Sequence, residues 1–157
     1  MKKYFLLMVI LLFILLCSGC GKTDRQDTQA SPTFKAGSFT LYGIDGKIGI
    51  LAPSGFKANV GNKYMWHFWG STEQLSRSPF RVEGIELSTN KKYPVLLSDA
   101  GTSNEKDVWE YNAKLGGPNN GADAHLPTSM KIKSAGLWRL DAYLGGELFG
   151  SIIVDAK

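Results

Sequence analysis

The sequence predicts an all-β fold, an antiparallel sandwich or barrel, behind a secretory leader. Short apolar or alternating runs recur along the chain and are separated by Gly, Pro, Asn and Asp. No segment sustains the i, i+3, i+4, i+7 apolar spacing of an amphipathic helix over three turns. Strands at this spacing, with turn residues between them, are typical of antiparallel sandwiches and barrels.

The chain opens with the three parts of a secretory signal peptide. Lys2 and Lys3 are followed by an unbroken apolar run over residues 4–17, and Ser18-Gly19 then precedes Cys20. The run is shorter than the roughly 20 residues that a membrane-spanning helix needs. A plain signal peptide without lipid and an uncleaved anchor helix are the two alternatives to a lipidated N-terminus.

The ending C-S-G-C resembles the lipobox of bacterial lipoproteins, with Cys17 where that pattern prefers Leu. The resemblance implies that a diacylglyceryl group is attached to Cys20 and that residues 1–19 are removed as a lipoprotein signal peptide. We therefore expect a lipid anchor on Cys20 that holds the protein at the extracytoplasmic face of the cell membrane. Residues 20–35 are polar and predict a flexible tether, which leaves residues 36–157 as the folded domain.

Charge and cysteine content exclude some classes of protein. Without residues 1–19, 16 of the 18 basic residues remain against 14 acidic ones, and no stretch clusters Lys and Arg. A nucleic-acid partner is therefore not expected. With Cys17 removed and Cys20 acylated, no disulfide forms within the mature chain, so a packed aromatic core has to stabilise it.

Turn residues define the predicted strands. Asp45-Gly46, flanked by S-F-T-L-Y-G-I and K-I-G-I-L-A, indicates the first hairpin. Gly145-Gly146 indicates the last one, in which regular pairing puts Trp138 opposite Ile153. This register predicts a core face made of Trp138, Leu140, Ala142, Phe149, Ser151 and Ile153. The runs between the two hairpins are 64–69, 80–87, 93–97, 107–111 and 130–133.

The ending G-L-W-R-L-D-A-Y-L-G-G-E-L-F-G-S-I-I-V resembles the last two strands of immunoglobulin-like domains on bacterial surface proteins. With the lipobox and the run K-Y-M-W-H-F-W-G, most of residues 34–157 is similar to small uncharacterised lipoproteins of Bacillus-type bacteria. The resemblance implies an immunoglobulin-like β-sandwich and a membrane address, and it transfers no catalytic residue. The disulfide and partner tryptophan of antibody domains are absent.

The run from Tyr64 to Trp69 is the first candidate site, because both of its faces are bulky. In a strand, the side chain of Trp66 points to one face of the sheet, and the side chains of His67 and Trp69 point to the opposite face. One interpretation is an exposed platform that stacks a sugar ring or an apolar partner, with His67 as a polar contact. The other is a central strand buried on both sides, with His67 hydrogen-bonded internally.

The loop predicted at 115–129, L-G-G-P-N-N-G-A-D-A-H-L-P-T-S, is the second candidate site. Asn119, Asn120 and Asp123 offer oxygen atoms, and His125 adds a nitrogen. Calcium sites need several carboxylates, and zinc needs three or four Cys or His ligands, so neither a metal nor another cofactor is expected. A binding role and a plain crossover between strands both remain open.

Enzyme signatures are missing from the sequence. It contains no G-x-S-x-G elbow, P-loop, Rossmann glycine pattern or H-E-x-x-H, and no free cysteine nucleophile in the mature chain. We expect a non-catalytic binding or accessory module at the cell surface, with cell-wall glycan or a surface protein as the candidate partner. The alternatives are a loop-presenting inhibitor or regulator, and a small hydrolase that uses His67, Asp123 and His125.

Overall fold

The computed structural model describes residues 29–157. The predicted signal peptide, Cys20 and the tether up to residue 28 lie outside the described residues. The helix in the described part is α1 (Thr72–Leu75). The strands are β1 (Thr33–Ala36), β2 (Phe39–Ile44), β3 (Ile48–Leu51), β4 (Asn62–Phe68), β5 (Phe80–Glu86), β6 (Lys91–Pro94), β7 (Leu96–Ser98), β8 (Lys106–Val108), β9 (Glu110–Tyr111), β10 (Ala124–Met130), β11 (Gly136–Leu144) and β12 (Glu147–Ala156).

The strands form two sheets in which neighbouring strands run antiparallel. The larger sheet has seven strands in the order β1-β2-β3-β4-β10-β7-β8. The smaller has five, in the order β12-β11-β5-β6, with β9 also paired to β5. Two separate sheets decide between the two predicted architectures. The predicted all-β antiparallel sandwich is confirmed.

The core lies between the sheets and is dominated by aromatic rings. Trp66 and Phe68 of β4 are fully buried and meet Phe80 of the opposite sheet, with ring centroids 5.4 and 5.7 Å apart respectively. Trp138 of β11 is also fully buried, and its indole Nε1 donates to the carbonyl of Ser134 at 3.0 Å. Aromatic pairs of this kind add about 0.5–1.5 kcal/mol each beyond the area that they bury.

Both hairpin turns predicted from the sequence are present. Tyr42 faces Ile50 across the Asp45-Gly46 turn, so β2 and β3 pair as expected. At the other hairpin, the φ angles of Gly145 and Gly146 are 58° and 85°. Two positive φ angles are the requirement of the type I′ turn, whose twist suits the flanking strands.

The predicted register of the last hairpin is wrong beyond its first residues. A bulge between Ala142 and Tyr143 shifts the pairing by one residue, so that Trp138 faces Val154 and not Ile153. An extra residue on one strand is what a β-bulge inserts. The apolar pattern of β12 requires it, because no regular strand can turn residues 149 and 152 to the same face. The core-facing residues of β12 include Phe149, Ile152 and Val154.

The folded unit begins inside the segment predicted as tether. β1 pairs with β2, so the predicted boundary between residues 35 and 36 falls within a strand. Further back, Ser31 N donates to the Ile153 carbonyl at 2.8 Å, and Ile153 N donates to Ser31 Oγ at 2.9 Å. Gly43 N donates to the Pro32 carbonyl at 3.0 Å. Residues 31 and 32 therefore join β12 of one sheet to β2 of the other.

The last six residues of the segment predicted as a loop at 115–129 belong to a strand. β10 pairs with β4 along its whole length, and Met130 also pairs with Leu96 of β7. Of the strand predicted at 130–133, only Met130 lies in a strand. Ala124, Leu126, Thr128 and Met130 are buried and alternate with more exposed residues, which is the period of a half-buried strand.

Pro127 lies in the middle of β10, where a missing N–H normally argues against a central strand. The N–H groups of His125 and Lys131 donate to Gly116 and Val95, on the side away from β4. Pro127 is two residues from His125 and four from Lys131, so its backbone nitrogen points in the same direction as theirs. The N–H group that proline lacks would therefore also point away from β4. The ladder between β10 and β4 therefore loses no hydrogen bond at the proline.

The sequence S-T-E-Q before β5 forms helix α1, which the strand pattern does not predict. Gln74 N donates to Ser71 Oγ at 3.3 Å, and Ser71 N donates to Gln74 Oε1 at 3.2 Å. This reciprocal pair is the capping box that a Ser followed three residues later by Gln can form. Among residues 29–157, no helix has the length and apolar character needed to cross a membrane.

Candidate functional site

Residues 115–123, which we call the flap, fold back beside β10 and over the outer face of the seven-stranded sheet. Its tip is a tight turn in which Asn119 N donates to the Ala122 carbonyl at 3.1 Å and Ala122 N to the Asn119 carbonyl at 2.9 Å. Asn120 and Gly121 have φ angles of 52° and 81°, the signature of a type I′ turn. The Asn-Gly pair in the sequence is the signal that could have found this turn.

Backbone bonds of Gly116 with His125 and of Asp123 with Phe68, and three hydrogen bonds that involve side chains, hold the flap to the ends of β4 and β10. The indole Nε1 of Trp69 donates to the Gly121 carbonyl at 2.8 Å. Gly70 N donates to Asp123 Oδ2 at 3.0 Å, which fixes the point where the flap enters β10. His125 Nδ1 donates to the Gly117 carbonyl at 2.7 Å. The flap is therefore bonded at its start, tip and end.

A fourth contact connects the tip to the centre of the sheet through His67. His67 is fully buried, and its Nδ1 lies 3.2 Å from the Met65 carbonyl, to which it donates. Its Nε2 lies 3.1 Å from Asn120 Nδ2, from which it accepts. This pair of partners fits a neutral ring with its proton on Nδ1. Burial lowers the pKa of His67; the bond to Met65 opposes that effect, and the nearby His125 adds to it.

The two histidines are direct cross-strand partners, because β4 and β10 are paired with His67 opposite His125. On the other side of β4, His67 faces Gly49 of β3. A Cβ at Gly49 would lie 2.8 Å from the ring of Phe34 and 3.1 Å from Leu41. Glycine there lets the Phe34 ring approach the sheet. The flap and β1 thus enclose a small second core around His67.

The structure has the buried form of the Tyr64 to Trp69 run. Trp66 points into the main core with none of its surface exposed, and its Nε1 donates to Thr128 Oγ1 at 3.2 Å. His67, on the opposite face, is covered by the flap. Trp69 is only partly buried and packs edge-on against Phe34, with centroids 5.7 Å apart. Trp66 therefore cannot contact a ligand at the surface.

The structure brings most of the sequence-predicted site residues together. Trp66 is separated from the rest, because it points into the main core. His67, Trp69, Asn120, Asp123 and His125 all take part in attaching the flap. Asn119 contributes its backbone to the turn at the tip. Within residues 29–157, no three His, Cys, Asp or Glu side chains are close enough to hold a metal ion.

A groove of about 410 Å³ runs beside the flap, between helix α1 and residues 115–118. Leu75 and Leu115 give it apolar walls, while Thr72, Ser76 and Asp123 supply polar groups. Gly117 also lines it, and a Cβ added there would meet nothing within 4 Å. A concave surface with apolar walls and a few polar groups is the usual form of a small-ligand site.

The outer face of the five-stranded sheet carries a charge network that the sequence did not single out. Glu83 is almost buried and accepts from Arg81 at 2.5 Å and from Lys92 at 2.7 Å. The hydrogen bond from Lys92, with a second from Arg81, lowers the pKa of Glu83 against the effect of burial. Asp141 lies opposite Glu83 and is paired with Arg139 at 3.0 Å. Each buried carboxylate thus has its own cation, and the network is a satisfied structural one.

These features define a two-sheet antiparallel β-sandwich whose larger sheet carries a flap bonded to a pair of cross-strand histidines. The chain belongs to the family described as Domain of unknown function (DUF4871), whose model matches residues 23–154. No match was found among curated protein sequences.

Two solved structures are similar to this chain. A "putative lipoprotein" from Bacillus anthracis superposes with a TM-score of 0.68 at 21% identity, covering 83% of this chain and 87% of that one. The Lin-41 filamin domain gives a TM-score of 0.40 at 13% identity, covering 71% of this chain and 94% of that one. The first likeness shows a shared fold. The second is too weak to carry an argument, and the immunoglobulin-like strand topology stays a prediction.

Proposed function

We propose that the protein is a lipid-anchored, non-catalytic binding module at the extracytoplasmic face of the cell membrane. The lipobox-like ending at Cys20 supports the anchor, and the structural relative from Bacillus anthracis is itself described as a putative lipoprotein. Eleven peptide bonds connect Cys20 to Ser31, the first residue bonded across the sheets. Fully extended, they span at most about 40 Å. The sandwich would therefore stay within that distance of the lipid surface.

The anchor makes a direct prediction about two cysteines. Lipidation needs the sulfur of Cys20, so Cys20→Ser is expected to abolish incorporation of a fatty-acid analogue in cells and to leave the precursor poorly cleaved. Cys17→Ser, three residues earlier in the discarded peptide, is the matched control and should label as the wild type does. Equal labelling of Cys20→Ser, or wild type found free of lipid in the medium, contradicts the anchor. Loss of label in Cys17→Ser would place cleavage before that residue.

The hydrogen bonds made by the polar side chains of the site are the observation that supports a non-catalytic function. Both ring nitrogens of His67 are bonded, to Met65 and Asn120. His125 Nδ1 and Asp123 Oδ2 bond to backbone groups of the flap and of Gly70. The hydrolase alternative needs a base that contacts a nucleophile. Here the histidines and the aspartate are bonded to the flap and its attachment points instead, which supports a structural role for them.

The same bonds count against the inhibitor alternative. A loop that is presented to a protease or a sensor has to project from the surface, whereas the flap is tied down at Gly117, Gly121 and Asp123. The groove beside the flap is the better candidate for recognition. Its size and mixed walls suit one or two sugar units of a cell-wall glycan or a short peptide segment of a surface protein.

We expect soluble cell-wall glycan fragments to change the tryptophan fluorescence of the protein and to bind in this groove. Gly117→Phe fills the groove from a position with open space, so it should abolish the response. Val60→Phe, in the exposed loop between β3 and β4, is the control that adds the same ring elsewhere. An unchanged response in Gly117→Phe places the site outside the groove. No response with any fragment, together with no partner on crosslinking in cells, contradicts the binding function.

A further inference from the structure

We propose that the flap is a pH-responsive strap, which protonation of His67 releases from the outer face of the seven-stranded sheet. Release exposes the ring of His67 and frees the indole N–H of Trp69, which the flap binds in the closed form. The proposal rests on the hydrogen-bond geometry of the flap and is independent of the lipid anchor and of any ligand.

The sensing element is the contact between His67 and the tip of the flap. In the closed form, Nε2 of His67 is an acceptor for Asn120 Nδ2 at 3.1 Å, while Nδ1 is already occupied by the Met65 carbonyl. Adding a proton turns Nε2 into a donor that faces another donor. Asn120 has to turn its amide to offer Oδ1 to this N–H, and even then a positive charge is left in a fully buried position.

Within residues 29–157, no carboxylate lies close enough to His67 to act as a counter-ion for this charge. β10 places His125 directly opposite, and β3 places Gly49 there. Phe34 and Leu41 of β1 and β2 pack over Gly49. Among the charged residues on the same elements, Lys35 bonds to Thr40, Lys47 lies over the ring of Phe149 at 4.6 Å, and the Asp123 carboxylate binds Gly70 N.

The direction of the pH effect follows from the neutral ring. The closed form holds the pKa of His67 below its usual value, so an open form binds a proton more readily. The stability of the closed flap is complete above the ordinary histidine pKa of about 6.5 and is lost as the pH falls below it. Bonds to cations, hydroxyls or backbone lower the pKa of Glu83, Glu86 and Glu105 from 4.5, so these carboxylates stay ionised above pH 5.

The test measures solvent exchange at three indole N–H groups, of which one reports on the flap and two serve as internal controls. Trp69 Nε1 bonds to the flap, whereas Trp66 Nε1 bonds to Thr128 and Trp138 Nε1 to Ser134 within the sandwich. Solvent exchange of these protons would be followed by NMR on the full chain in detergent, between pH 7.5 and 5.0, and corrected for the intrinsic exchange rate. A pKa difference of one unit between open and closed forms lowers the protection of Trp69 by about tenfold. Trp66 and Trp138 should stay protected.

Asn120→Asp tests the mechanism, because a carboxylate accepts a hydrogen bond from the protonated ring. In this variant, the Trp69 indole should be as protected at pH 5.0 as at pH 7.5, while the indoles of Trp66 and Trp138 report that the variant is folded. His67→Phe removes the titrating group and should make the protection of Trp69 independent of pH. The proposal is overturned by constant Trp69 protection in the wild type, by joint loss of all three indoles, or by either variant responding to acid as the wild type does.

Discussion

Gly43→Ala is expected to destabilise the sandwich by about 4 kcal/mol, at the upper end of single substitutions. Gly43 lies in β2 with a φ angle of 145°, which L side chains rarely adopt. A Cβ there would lie 2.3 Å from the carbonyl oxygen of Ile48 and 3.0 Å from Gly49 Cα, both backbone atoms of the paired strand β3. Backbone cannot rotate aside as a side chain does. The β2–β3 ladder has to separate locally, and with it the bond from Gly43 N to Pro32.

Two other glycines separate the effect of a positive φ angle from the effect of the Cβ clash on the free energy of unfolding. Gly46, in the Asp45-Gly46 turn, has a positive φ of 67° and open space around it, so Gly46→Ala should cost only about 1 kcal/mol. Gly117 has open space and no positive φ, so Gly117→Ala should be close to neutral. Chemical denaturation of the unlipidated Cys20→Ser chain measures all three. Equal stabilities for Gly43→Ala and Gly46→Ala would show that β2 and β3 approach less closely than the structure has them.

Local turn chemistry was enough to predict part of the fold. Asp45-Gly46 and Gly145-Gly146 indicate hairpins because few other pairs can take the positive φ angles of these turns. The alternating runs beside them then give an antiparallel sandwich, which the structure has. The short helix at Ser71 was also readable, since its capping box is a local sequence signal.

Features set by long-range pairing could not be predicted in the same way. β10 has Ala and Thr at two of its inward positions and Pro127 in its middle, so its apolar pattern is weak until β4 pairs with it. The bulge near Ala142 depends on which face of β12 meets the opposite sheet. Ser31 lies between Ala30 and Pro32, outside any alternating apolar run that would mark it as part of the domain, and its bonds to Ile153 place it there.

The candidate site shows the same division between local and long-range information. The sequence identified His67, Trp69, Asp123 and His125 from their residue types, and the structure brings them together. It could not show that His67 and His125 are partners, because their register joins positions 58 residues apart in the chain. Nor could it show that these groups are bonded to the flap. Pairing register decides both, and it depends on contacts between distant positions that local sequence patterns do not reveal.

Trp66→Ala is expected to lower the free energy of unfolding by about 3–5 kcal/mol, the usual effect of removing a buried tryptophan. Trp66 has no exposed surface, and its ring packs against Phe68 and Phe80 with centroids 6.2 and 5.4 Å away. Its indole N–H also satisfies Thr128 Oγ1, and the truncation leaves that buried hydroxyl without this partner. Trp109→Ala is the matched control, because Trp109 is 37% exposed and lies under Arg81, with the guanidinium carbon 5.4 Å from the ring centroid. It should cost less than about 1 kcal/mol.

Denaturant unfolding of the unlipidated Cys20→Ser chain compares the two. A Trp66→Ala protein as stable as the Trp109→Ala protein would mean that the run from Tyr64 to Trp69 turns its Trp66 face outward, as the alternative of an exposed stacking platform requires.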